Sequence, residues 1–255
     1  MNRIRITTGV IPVIVFLGLW EILARTAFPP GQGLLPPFTS VLAELFSLIS
    51  SGVLADSFVR SLSRVLIGFV TGSCAGLLVG VLLGWSTHLD KTFRPIISLL
   101  YPIPALGWLP LFMLWIGINE LLPIAIIFIC SFFPVCYSTA SGVKSVPHEQ
   151  VWAARTLGAT DIRILRTIVI PLALPSIFTG LRIEAGMAWR VVIAAEMVAI
   201  PTGIGALMMR AESLLKVDVI VVCLMVLSLM CFCFEKVLLL MEKRLTAAWL
   251  NNAEH

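Results

Sequence analysis

The sequence predicts an all-α integral membrane protein with about six transmembrane helices, and three observations carry that reading. Of 255 residues, 59% are hydrophobic and 13% charged, with a mean hydropathy of +1.02. Soluble domains run nearer half apolar and a quarter charged, so this chain could not cover itself with polar surface in water. Second, the apolar residues fall into runs of about 20, the length at which a helix crosses a hydrocarbon core. Third, most Lys and Arg sit between the runs, unequally on alternate sides.

The first run covers about residues 11–27. It begins like a secretory leader, yet continues through Glu21 without a clear small-residue cleavage site, so it is a retained span. "FPPGQGLLPPFTS" is too rich in Pro and Gly for helix. "VLAELFSLISSG" predicts a short helix at the membrane surface, capped by Thr39 or Ser40 and stopped by Gly52. The second span covers about 61–83 and the third about 95–116. The third carries Pro102, Pro104, Gly107 and Pro110, so it is kinked or partly unwound. Asn119 and Glu120 make a tight turn into a fourth span over 121–143. A fifth covers about 174–199 and a sixth about 217–241. Residues 1–255 make one transmembrane domain.

Arg3 and Arg5, Lys91 and Arg94, Lys144, Arg155, Arg163 and Arg166, and Lys243 and Arg244 fall in one set of loops. The alternate set holds Arg25, Arg60, Arg210 and Lys216. The richer set is cytoplasmic, which puts both termini inside and leaves lipid around the spans. The net charge of +4 therefore reads as orientation, and no basic run points to nucleic acid. The six cysteines all lie in apolar stretches without zinc or disulfide spacing. They read as packing residues, and no metal site is expected.

In the second span Gly68, Gly72, Gly76, Gly80 and Gly84 recur every four residues, a ladder that lets a neighbouring backbone approach closely. It predicts helix packing and no chemistry. "YPIPALGWLP", with Tyr101, Pro104 and Trp108, is either a plain kink or the lining of a substrate path. Broken backbone at membrane depth is tolerated only where protein or a cavity surrounds it. In the fifth span Arg182, Gly186, Trp189, Ile193 and Glu196 fall on one face at 3.6 residues per turn, with Glu184 and Arg190 pointing elsewhere. Charges at such depth mark pathways or pairs. Arg182 then lines the path as an anion site partly balanced by Glu196, or else reaches to the headgroups, and Glu196 could equally be interfacial.

The stretch "VWAARTLGATDIRILRTIVIP" (151–171) predicts two short helices. Pro147 suits a first helical position and Glu149 the positive end of the helix dipole. Gly158 can end the first helix in a left-handed turn, and Thr160 or Asp161 can cap the second. On physics alone this is a knob offered to a partner or an ordinary interfacial helix.

The stretch resembles the "EAA" loop of ATP-binding-cassette importer permeases: EAA, three residues, G, nine residues, I-x-L-P. Here Trp152-Ala153-Ala154, Gly158 and Ile168-Val169-Ile170-Pro171 keep every spacing, with Trp152 in place of glutamate and Ile170 in place of leucine. "LLPPFTSVLAEL", "SLSRVLIGFVTG", "YPIPALGWLPLFMLWIGI", "FFPVCYSTASGVKSVP", "LPSIFTGLRI" and "AAEM" are similar to segments of the nitrate/taurine/sulfonate branch. The resemblance implies a core permease region over 57–245 with a coupling helix at about 147–160. It implies a homodimer in a bacterial inner membrane, two cytoplasmic ATPase subunits docked on the coupling helices, and an external solute-binding protein. The coupling residues would be Glu149, Trp152, Ala153, Ala154, Gly158, Asp161 and Pro171. The cargo would be a small oxoanion or sulfonate such as nitrate, taurine or an alkanesulfonate. No G-x-x-x-x-G-K-[ST] loop is present, so ATP and Mg would be bound by the partner ATPase. The alternative is an ion-coupled secondary transporter or channel using Glu184 or Glu196. An intramembrane enzyme lacks support, because no H-E-x-x-H, G-x-S-x-G or paired span aspartates occur.

Overall fold

The computed structural model describes residues 2–27 and 35–253, with side chains over 11–12, 14–26 and 35–245. The loop expected at 28–34 and the side chains of Arg3 and Arg5 lie outside the described residues. Among the described residues every regular element is helical. In chain order these are α1 (Asn2–Ala27), α2 (Phe38–Ser50), α3 (Val53–Trp85), α4 (Thr87–Leu100), α5 (Leu109–Trp115) and α6 (Leu121–Lys144), then α7 (His148–Thr156), α8 (Asp161–Ile164), α9 (Ile170–Ala199), α10 (Ile204–Ser213) and α11 (Val217–Ala253).

The six apolar runs fall on α1, α3, the α4–α5 pair, α6, α9 and α11. Among the described residues four helical stretches are long and apolar enough to cross a membrane: α3, α6, the continuous Asp161–Ala199 and the Val217–Leu245 part of α11. The third run is sharply broken rather than gently kinked. Thr87–Leu100 and Ala105–Trp115 meet at 86°, because Pro102 and Pro104 supply no N–H to continue the helix. Prolines are accommodated differently in the fifth run. Asp161–Ala199 is one continuous helix, and a wide turn over Leu165–Val169 loosens it just ahead of Pro171, whose ring and missing N–H would otherwise break it.

The glycine ladder lies against α6. A Cβ built on Gly72 would sit 2.5 Å from the Phe128 carbonyl oxygen, and on Gly76 2.7 Å from that of Phe132. Gly68, Gly80 and Gly84 meet the carbonyls of Ile124, Cys136 and Ala140 in the same way. A Cα hydrogen therefore meets each oxygen, and the two helices run parallel in backbone contact. On its other side α6 packs on α9 antiparallel, with Gly142 against Ser176 and Gly180 against Ser138. These three helices form the centre, with α2 and α10 packed at one end of it and α11 running along α9.

Two expected caps are corrected. α2 starts at Phe38 behind Pro37, and Thr39 Oγ1 instead donates to Glu21 Oε1 at 3.0 Å, tying α2 to α1. α8 follows Thr160 without a side-chain cap, because the Asp161 carboxylate accepts from Arg155 at 3.0 Å across the turn.

Candidate functional site

Three places in the bundle gather chemistry. The first is the elbow α7–Gly158–α8. Gly158 has φ +81°, and nothing lies within 4 Å of a Cβ built there, so the turn is left-handed and open. Val151 and Ala154 turn inward, onto a core of Val143, Val146, Ile164 and Val169. Trp152, Leu157 and Ile162 turn outward, with relative exposures of 63%, 88% and 67%. Apolar residues so exposed beside a polar rim suit a protein or membrane contact. The rim is supplied by Glu149, Arg155 and Asp161, all exposed. Trp152 stacks near His148, with centroids 6.1 Å apart, and Arg155 lies 6.0 Å from the Trp85 ring, so the knob is braced against α3. Ala153 is exposed and Ala154 half-buried, while Pro171 stands behind the elbow at the start of α9.

The second place is a cavity of about 350 Å³ beneath the α4–α5 break. Tyr101 and Pro104 line it, as do Cys130 and Phe133 from α6 and Glu184 and Met187 from α9. Tyr101 stacks on Tyr137 with centroids 5.6 Å apart. Glu184 is 5% exposed, and Cys130 Sγ at 3.6 Å is its partner. Glu184, expected to point elsewhere than the face of Arg182 and Glu196, faces this cavity instead. Trp108 does not join it and packs toward Phe112 on the core, with its Nε1 unpartnered.

The third place is a clasp at the opposite end of α3 from the elbow. Arg64 is 1% exposed and donates to three groups: Glu120, with Nη2 2.8 Å from Oε1; Glu196, with Nη1 2.6 Å from Oε1; and Thr202. Ser61 Oγ donates to Glu196 at 2.8 Å, and the Gly205 N–H donates to Glu196 Oε2 at 2.9 Å. Gly203, at φ +103°, passes so close to the Glu196 carboxyl that a Cβ there would collide with it. The connection "IPTGIG" is thus folded over a buried ion pair, and its glycines are what let the backbone reach the carboxylate.

This arrangement corrects the expected face of the fifth span. Glu196 is 1% exposed inside the clasp and does not balance Arg182. Trp189 is also 1% exposed, packed edge-on to Phe234 of α11 at 6.4 Å. Arg182 is half-buried, with Nη1 3.3 Å from Glu242 Oε2 of α11. Gly186 has open space at its Cα, but no cation shares it. The face read from 3.6-residue periodicity is real as geometry, and α11 covers most of it. Arg64 is absent from the residues that periodicity singles out, and its signal in the sequence is a charge three residues inside an apolar run. Among the described residues no group of three His, Cys, Asp or Glu side chains is placed to hold a metal ion.

Comparison with known proteins matches residues 72–247 to the family described as "Binding-protein-dependent transport system inner membrane component". The chain is 40% identical to a Methanocaldococcus jannaschii protein named as an ABC transporter permease, over 83% of this chain and 80% of that one. It is 33% identical to the taurine transport system permease protein TauC of Escherichia coli, over 95% of this chain and 90% of that one. It is 32% identical to the nitrate import permease protein NrtB of Synechococcus elongatus, over 75% and 71%. Among solved structures, the fold is similar to a chain of an amino acid ABC transporter, with TM-score 0.62, 19% identity and coverage of 78% and 97%.

Proposed function

The chain belongs to the family of inner-membrane components of binding-protein-dependent transport systems and is a permease subunit of an ATP-binding-cassette importer; from that premise we propose how its surfaces divide the work. Membership sets aside the ion-coupled transporter or channel. Two copies of the chain pair in a bacterial inner membrane with both termini cytoplasmic, over the core region 57–245. ATP and Mg are bound by two cytoplasmic ATPase subunits, and an external solute-binding protein delivers the cargo. The cargo is a small oxoanion or sulfonate, a reading supported by relatives named for taurine and nitrate transport.

The single observation that carries this division is the exposed elbow. Trp152, Leu157 and Ile162 present apolar surface around an open left-handed glycine, at the end of the bundle where Lys and Arg concentrate. In this proposal Trp152 fills an ATPase groove, Glu149, Arg155 and Asp161 rim it, and Ala153 keeps the approach close. α8 continues through its wide turn and Pro171 into α9, so a push on the knob arrives at the helix that lines the cavity.

The test is a pair of variants in the assembled transporter. Trp152→Ala is expected to weaken ATPase association by about 2 kcal/mol, as loss of a buried aromatic anchor does. Gly158→Val adds a β-branched side chain at positive φ and is expected to abolish coupled uptake. Both proteins should insert in normal amount, because neither side chain supports the core. Wild-type uptake and co-purification of the ATPase in both variants would remove the elbow from the mechanism.

A further inference from the structure

We propose that Glu184 is a cargo-binding residue and that the cavity it faces takes an ammonium group, so that the cargo carries an amine as well as its anion. The inference rests on the oxoanion or sulfonate reading above and narrows it.

Two carboxylates on α9 make the case. Glu196 is buried and saturated: Arg64, Ser61 and the Gly205 N–H all donate to it within 3 Å. Glu184, twelve residues earlier, is almost as buried, yet a thiol at 3.6 Å is its partner. A thiol is a weak donor, and a carboxylate removed from water without strong donors or a cation is costly. A chain that supplies a full set of donors to one carboxylate and almost none to the next leaves the second for something that arrives. Among the described residues no Lys, Arg or His lines the cavity. Its wall offers instead the rings of Tyr101 and Phe133, whose electron-rich faces attract cations. A carboxylate with aromatic neighbours and no cation matches an ammonium ion and repels a bare oxoanion. The volume of about 350 Å³ suits a small solute. The broken backbone between α4 and α5 forms one wall, which places the cavity where intramembrane irregularity is expected to line a path.

The experiment is uptake by the complete transporter in proteoliposomes, with wild-type ATPase and binding protein, of 2-aminoethanesulfonate and of ethanesulfonate. The two differ only in the amine. Glu184→Gln is expected to lower uptake of the amino compound roughly tenfold more than that of ethanesulfonate, the effect of one charge-assisted hydrogen bond. Glu184→Asp, which keeps the charge, should restore most of that ratio. An unchanged ratio in Glu184→Gln overturns the proposal alone, as does equal loss of both compounds with intact ATPase association, which would make Glu184 structural. Failure of the wild type to take up either compound overturns the sulfonate reading and this proposal with it.

Discussion

Two helix–glycine–helix turns stand at opposite ends of the bundle, and they differ in what the glycine meets. Gly158 has φ +81° and no heavy atom within 4 Å of its missing Cβ; Gly203 has φ +103° and the Glu196 carboxyl directly beneath it. The first turn leaves apolar side chains in the open, and the second closes over an arginine that is 1% exposed. A positive-φ glycine thus serves opposite ends. At Gly203, with φ +103° and ψ 178°, an extended conformation that glycine alone adopts readily lets the chain satisfy its own buried charges. At Gly158 a left-handed turn holds out a surface that the chain itself leaves uncovered.

The largest expected effect lies in the closed turn. Glu196→Ala leaves Arg64 buried with one carboxylate partner on an exposed side chain, and removing half of a buried pair typically costs about 3–5 kcal/mol. Thermal unfolding of the purified protein and its yield in membranes should both fall sharply. An unfolding midpoint within about 2 °C of wild type would show the clasp to be dispensable. Next comes a matched pair. Gly203→Ala combines positive φ with overlap on the Glu196 carboxyl and is expected to cost about 2–4 kcal/mol. Gly158→Ala meets only the backbone term and is expected to cost about 1 kcal/mol. Equal destabilisation would erase the distinction between the turns. The smallest effect is expected at Arg182→Lys. Its side chain and that of Glu242 are 30% and 19% exposed and lysine keeps the positive charge, so stability should change by less than about 1 kcal/mol and uptake should stay near wild type. A large loss of uptake at normal protein level would return Arg182 to the cargo path.

The open turn was readable from sequence, because everything that defines it is local. The spacing from Trp152 through Gly158 to Pro171, the left-handed glycine and the outward tryptophan all follow from neighbours along the chain. The apolar runs and the glycine ladder were readable for the same reason, since period and composition are sequence properties. The closed turn was not. Arg64 and Glu196 are 132 residues apart, and no local pattern says which helix faces which. The fifth span shows the limit most sharply. Periodicity correctly grouped Arg182, Trp189 and Glu196 on one side, but could not tell that α11 and the clasp occupy it. It set Glu184 apart from that face, as the structure does, but could not show the cavity that the α4–α5 break puts in front of it. Faces are set by the helix, and what lies opposite them by topology.

The contact between α3 and α6 constrains motion. Glycines at every fourth position oppose carbonyl oxygens at every fourth position, so the two rods mesh like a rack. Slipping by one tooth would require about 6 Å of travel, four residues at 1.5 Å each, with every Cα hydrogen riding over a peptide group on the way. Small sliding shears are therefore closed to this pair, and α3 and α6 must tilt as a single strut. Any opening and closing of the subunit is left to the joints without teeth: the 86° bend between α4 and α5, and the wide turn that leads from α8 into α9.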